Sequence, residues 1–112
     1  MSVKSSARLR KFLASAALVA LATPAAAGPL TDRIEAGQPI RIGFANEAPF
    51  AYPGDNGEPM GFVNAYTLGL LAEMGHEDIE VVVTDWGGLI PALNAGRVDI
   101  VTGGLNIMGS RC

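Results

Sequence analysis

The sequence predicts an α/β domain in which a parallel sheet carries helices on its outside. Three observations predict it. Residues 40–45 and 79–84 are short apolar runs of strand length and composition. Residues 99–102 form a third such run, opening into Gly103-Gly104. Between successive runs the apolar residues fall at helical spacing, so the order is β-α-β-α-β. Connections of this kind are nearly always right-handed crossovers, which make the strands parallel.

Each element has its own signal. Residues 28–39 are a polar lead-in, with a helical turn expected to begin at Ile34 and to be ended by Gly37 and Pro39. In the first strand Ile40, Ile42 and Phe44 alternate with Arg41 and Gly43, the period of two that points alternate side chains to one face. Pro49 and Pro53 exclude a regular strand interior, and Asp55-Asn56-Gly57 supplies the turn chemistry of a loop or hairpin tip. Asn64 is expected to cap the next helix through its side-chain oxygen. Ala65, Leu68, Leu71, Ala72 and Met74 recur along that helix, and Gly75 stops it. Three consecutive valines in residues 79–84 predict a strand buried on both faces. A short second helix is expected over residues 89–93, ending near Ala95-Gly96.

Length and composition bound the rest. The chain has 112 residues, one domain or less, and 49% are hydrophobic against 17% charged, too apolar for a disordered segment. Its beginning is read as a leader rather than as part of the fold. Lys4, Arg8, Arg10 and Lys11 precede an apolar run over residues 12–22, Pro24 breaks that run, and Ala25-Ala26-Ala27 offers small side chains for cleavage after Ala27. The run is about half the ~20 residues that a bilayer core requires, so a signal peptide over residues 1–27 is expected and stable membrane insertion is not. Residues 28–112 then hold four arginines against 11 acids, a formal −7 that suits neither nucleic acid nor anionic lipid. One His and one Cys cannot build a zinc site alone, and neither a metal nor a cofactor is expected. Cys112 is either a free thiol or one whose partner lies elsewhere.

In open α/β sheets ligands sit beyond the carboxyl ends of the strands. The loops that qualify cover residues 46–52, 85–88 and 103–111. They contain Glu47, Phe50, Trp86, Asn106 and Arg111, the candidate binding residues. Aromatic faces attract cations, a carboxylate accepts hydrogen bonds from an amidinium-like group, and an arginine offers a planar fork to a carboxylate. A small zwitterion with a delocalised cation at one end matches that set. Each residue also has an ordinary structural reading: a solvated acid, a core plug, a cover for the sheet end, a surface charge. Asp85 and Asp99 read as a helix-start acid and a strand-end acid without catalytic meaning. No Walker loop, dinucleotide-binding glycine motif or Ser/His/Asp set is present, and His76 follows the first long helix, away from these loops.

The chain resembles the polar-amino-acid branch of periplasmic solute-binding proteins, family 3. The resemblance covers residues 40–112. It rests on Ile40-Arg41-Ile42-Gly43, on Gly57-x-x-x-Gly61-Phe62, on the run from Trp86 through Leu89-Ile90-Pro91-Ala92-Leu93 to Gly96-Arg97-Val98-Asp99-Ile100, and on the Gly-rich strand end leading to Arg111. Within that branch, Gly43-Phe44-Ala45-Asn46-Glu47-Ala48-Pro49-Phe50 and Arg111-Cys112 are similar to the ectoine- and hydroxyectoine-binding members. The resemblance implies that Glu47 holds the solute's ring nitrogens, Phe50 and Trp86 wall the ring, and Arg111 takes the carboxylate. The sequence departs from the pattern at Asn106, where those members carry another aromatic. It departs again at Met108-Gly109-Ser110-Arg111, where they read Thr-Pro-Glu-Arg.

The resemblance further implies a type II periplasmic-binding-protein fold of two lobes, three-layer α/β/α, with residues 28–112 forming an incomplete first lobe. The protein it implies is a monomeric substrate-binding component of an ABC importer, partnered by a permease and an ATPase. A chain without its second lobe is expected to be poorly stable alone and to bind weakly or not at all. The alternatives are a polar amino-acid-binding protein of the same family, a same-fold periplasmic enzyme such as a dehydratase with Glu47 as its sole candidate acid, the sensing domain of a receptor, and a truncated product without activity.

Overall fold

A computed structural model describes residues 28–112. The leader expected over residues 1–27 lies outside the described residues. In chain order the elements are α1 (Pro29–Glu35), β1 (Ile40–Phe44), β2 (Tyr52–Pro53), β3 (Pro59–Met60), α2 (Phe62–Glu73), β4 (Ile79–Val83), a 3₁₀ turn (Trp86–Gly88), α3 (Leu89–Asn94), β5 (Ile100–Val101) and a second 3₁₀ turn (Gly109–Arg111). The expected β-α-β-α-β order is therefore present, with a small antiparallel hairpin, β2–β3, carrying the Asp55-Asn56-Gly57 turn.

The main sheet has the order β4-β1-β5 and is parallel throughout. Ile40 pairs with Ile79 and Phe44 with Val83 on one side of β1; Ile42 pairs with Ile100 and Gly43 with Val101 on the other. The strand buried on both faces is thus β1, not the valine-rich β4. Among the described strands only β1 has hydrogen-bonded neighbours on both sides, whereas β4 lies at an edge and leaves Val83 46% exposed.

The alternation in β1 separates two packing layers. Ile40, Ile42 and Phe44 point to one face and form the core with Ala51 and Leu71; Leu30 and Ile34 of α1 and Leu68 of α2 pack against it. Gly43 points to the other face, where Val98 is buried and where a Cβ on residue 43 would lie 2.9 Å from Val98 Cγ1. Leu89 and Ala92 bury α3 outside the first cluster. Burial at about 25 cal/mol per Å² of apolar surface drives both layers.

Three local expectations are corrected. The first helix begins at Pro29, not at Ile34, because the fixed φ of proline suits the first helical position, whose N–H has no intrahelical partner; it does end at Gly37, at φ 71°. The second helix begins at Phe62, two residues before Asn64. Its first free N–H groups are met by loop carbonyls, Phe62 N donating to Pro49 O and Val63 N to Phe50 O, so no side-chain cap is needed. Asn64 is instead buried in the first turn. Finally, α2 is apolar nearly all round: Leu71 is buried, Ala65, Ala72 and Met74 are exposed, and Phe62, Tyr66 and Leu70 add further exposed apolar surface.

An ion-pair cluster ties the amino-terminal edge together. Asp99 Oδ2 accepts from Arg41 N at 2.8 Å and Arg41 Nε at 3.1 Å, and Oδ1 accepts from Arg41 Nη2 at 2.8 Å. Arg33 Nε stands 3.4 Å from the same carboxylate. The hydrogen bonds from the Arg41 side chain hold the Asp99 carboxyl below the ordinary carboxylate range, against the opposing effect of burial. Asp99 is a structural acid at the start of β5.

Candidate functional site

Because the strands are parallel, their carboxyl ends share one edge of the sheet. Backbone bonds extend the register past the strands: Thr84 N donates to Phe44 O, and Thr102 N donates to Gly43 O, both at 3.0 Å. The loops that leave this edge begin at Ala45, Thr84 and Thr102. The first two frame a hollow of about 440 Å³ lined by Ala45, Asn46, Glu47, Val83, Thr84, Asp85 and Trp86.

Glu47 is fixed at both ends. Its N–H donates to Ala51 O at 2.8 Å, and its carbonyl accepts from Phe50 N and Ala51 N, closing a tight loop through a cis Ala48–Pro49 peptide. Its carboxylate then reaches the end of β5, where Oε2 accepts from Gly104 N at 3.0 Å. The two glycines there make room for it. A Cβ on residue 104 would lie 3.1 Å from Glu47 Oε1, and one on residue 103 would lie 3.3 Å from Oε2 and 3.9 Å from Trp86 Cζ3. Carboxylate and indole therefore both border Gly103, whose φ of 147° favours glycine. A backbone N–H donor fixes where the carboxylate's charge sits.

The other sequence candidates take different places. Phe50 packs its ring against Phe62, with centroids 5.3 Å apart and planes tilted by 54°. Arg111 lies exposed in the last turn, where its Nη1 donates to the backbone oxygen of Asn106 at 2.9 Å. Asn106 engages Arg111 by its main chain, not by its amide. Of the five candidates, the hollow's lining includes Glu47 and Trp86; Phe50, Asn106 and Arg111 stand outside it.

Two features of the site escaped the sequence reading. Asp85, read there as an acid without a role, lines the hollow beside Trp86 and accepts from Thr84 Oγ1 at 3.3 Å. The Gly103-Gly104 pair supplies the N–H that anchors Glu47; its signal was a double glycine directly after a strand, where backbone can approach another group closely. Two carboxylates and an indole around one open hollow can hold a small organic cation. Among the described residues no group of three or more His, Cys, Asp or Glu side chains is placed to hold a metal ion, and no helix is long and apolar enough to cross a membrane.

Residues 40–112 match the family described as bacterial extracellular solute-binding proteins, family 3. The chain belongs to that family. A relative from Sinorhizobium fredii, a probable amino-acid ABC transporter periplasmic-binding protein, is 37% identical over 101 residues, covering 88% of this chain and 34% of its own length. The chain thus spans about a third of the length of this relative. Solved structures agree. An ancestral cationic amino-acid solute-binding protein is 34% identical, with a TM-score of 0.65 over 75% of this chain and 36% of that one. An ancestral cyclohexadienyl dehydratase is 31% identical, with a TM-score of 0.65 over 77% and 35%. The hydroxyectoine complex of EhuB is 33% identical, with a TM-score of 0.65 over 75% and 32%. The architecture is that of the type II periplasmic binding proteins, as the sequence predicted.

Proposed function

We propose that residues 28–112 form the amino-terminal part of the first lobe of a substrate-binding component of an ABC importer. It captures a small zwitterion with a delocalised cation, of the ectoine or hydroxyectoine type, in the periplasm. Residues 1–27 direct export, and a permease and an ATPase are the partners. The observation that carries the reading is the Glu47 carboxylate, held by the Gly104 N–H beside the Trp86 ring at the mouth of the hollow. An amidinium presents two N–H donors in a plane, which suits a carboxylate edge, and its charge suits an aromatic face. In this reading Glu47 and Trp86 hold the cation at the hollow, while Phe50, Asn106 and Arg111, which stand outside its lining, meet the part of the solute that projects from it, Arg111 its carboxylate. No covalent step is assigned to Glu47; the role is binding.

A second reading is a cationic amino acid. Asp85 favours it, since a second acid at the same hollow suits a guanidinium or ammonium side chain that reaches past Glu47. The likeness to an ancestral cationic amino-acid-binding protein points the same way.

Calorimetric titration of the 112-residue chain, with its fold checked by circular dichroism, separates these readings. Hydroxyectoine, arginine and, as a neutral-side-chain control, glutamine are the three solutes. Ectoine-type capture predicts heat with hydroxyectoine above both others. Glu47→Gln should weaken it by about 10- to 100-fold, the worth of one hydrogen bond to a charged partner. A larger response to arginine, abolished in Asp85→Asn, selects the second reading. A folded chain that gives equal heats of binding with all three solutes, or a Glu47→Gln variant that binds as the parent does, refutes the role of Glu47.

A further inference from the structure

The structure assigns Asn64 and Thr102 as a pair of positioning residues that set the Glu47–Gly104 contact, an inference that deepens the binding reading above and rests on it. Both residues are buried, 1% and 3% exposed. Buried polar groups must find partners, and these find each other. Asn64 Nδ2 donates to Met60 O at 2.9 Å. That carbonyl can only accept, so the amide's orientation is fixed and Oδ1 must face Thr102, whose hydroxyl donates to it. Every polar atom of the pair's contact is satisfied, which is the condition under which a buried network rigidifies its surroundings.

The location gives the pair its consequence. Thr102 is the residue immediately before Gly103-Gly104, and Gly104 N is the donor to Glu47 Oε2. Asn64 sits in the first turn of α2, the same turn whose Phe62 and Val63 N–H groups clamp the carbonyls of Pro49 and Phe50 in the Glu47 loop. Gly61, just before it, lies so close to the Phe50 carbonyl that a Cβ would collide. One helical turn therefore grips both strand exits. Through backbone it holds the loop that carries Glu47, and through Asn64 it holds the exit that carries Gly104. The separation of carboxylate and N–H is set by this turn. The backbone bond from Thr102 N to Gly43 O ends the ladder there, and with glycine at both 103 and 104 the side chain of Thr102 is the last in the exit that can hold the register.

The test reads the Gly104 amide directly and needs no solute. In uniformly ¹⁵N-labelled 112-residue chain, Glu47→Gln marks the Gly104 resonance by weakening its charge-assisted bond. Thr102→Val removes the buried hydroxyl while keeping its shape; Asn64→Leu with Thr102→Val replaces both partners of that bond by apolar groups and costs only the bond to the Met60 carbonyl. If the pair positions the contact, both variants move the Gly104 amide proton in the direction that Glu47→Gln moves it. Affinity for the solute selected above then falls about tenfold, as a slackened charge-assisted bond predicts. Thr102→Ser, which restores the hydroxyl, returns the amide to its place. A lowered melting temperature with an unmoved Gly104 amide overturns the inference, because the pair would then only satisfy the core. Failure of both apolar variants to fold counts against it as well, since it makes the pair a requirement of the fold. A moved amide in a chain that binds none of the solutes leaves the positioning standing and removes the binding reading instead.

Discussion

Gly43 should be one of the least replaceable positions in the sheet, and its replacement can be worked through from distances. In Gly43→Ala the new Cβ would stand 2.9, 3.2 and 3.3 Å from Val98 Cγ1, Cγ2 and Cβ. Carbon atoms rest at about 3.5–4.0 Å, so the overlap with the nearest atom is about 0.6 Å or more. Neither side can yield easily. Val98 is 2% exposed, and Gly43 lies in the central strand, in register with Val82 on one side and Val101 on the other. Overpacking of this kind costs about 1–3 kcal/mol. Alanine also restricts the unfolded chain, which returns about 0.4–1 kcal/mol, because Gly43 does not use the left-handed region that alanine avoids. The clash wins, and a net loss of about 1–2 kcal/mol is expected.

Val98→Ala alone removes buried methyl groups and should cost about 2 kcal/mol. In the double variant the methyl added at residue 43 fills part of the space vacated at residue 98. The two losses should then fail to add, with a favourable coupling of about 1 kcal/mol or more. Urea melts of the four chains, compared through midpoint and slope, measure it. Additivity within about 0.5 kcal/mol would show that strand and connection adjust independently and that the distance argument is wrong.

Further outcomes follow from the same geometry. Asp99→Asn should lower stability by about 1–2 kcal/mol near neutrality, because it weakens the bonds from Arg41. Since the folded carboxyl is held low, the unfolded chain takes up the proton first. The contribution is full above the unfolded value, about 3.9, and is lost as pH falls through the folded one. The difference in melting temperature between parent and variant should therefore shrink on acidification, and a constant difference would contradict the ion pair. Gly103→Ala places a side chain at φ 147° and against the Glu47 carboxylate, so it should lose about 1–3 kcal/mol by thermal melt, while Gly109→Ala, with open space around it, should melt as the parent does. Trp86 is the chain's single tryptophan and is 41% exposed, so a solute that covers its ring should shift its emission to the blue. Emission that stays unchanged while calorimetry registers binding would place the solute elsewhere.

What could be read from the residues, and what could not, divides along sequence distance. The alternation of Ile40, Ile42 and Phe44 is a local pattern, and it gave the first strand to within a residue. The hydrogen-bonded neighbours of a strand are not local, so the valine run over residues 81–83 could not reveal that β4 lies at an edge. Asn64 looks the same in sequence whether it caps a helix or is buried. The choice was made by the loop carbonyls of Pro49 and Phe50, which met the helix's first N–H groups and left the amide free to bond Thr102, 38 residues away. The same division runs through the site. Parallel strands force their carboxyl ends to one edge, so residues within a few positions of a strand end must be neighbours whatever the loops do. Glu47 and Trp86 meet that condition, and the structure puts both at the hollow. Phe50, Asn106 and Arg111 lie further along their loops, where turn geometry decides the direction of each side chain. There Phe50 is held by Phe62 and Arg111 by the Asn106 carbonyl, contacts that no spacing announces. It follows that topology alone delivers an acid and a ring to one place. The binding role proposed for them takes in addition the Gly104 N–H, 57 residues from Glu47, and, on the positioning role inferred above, the buried pair beside it.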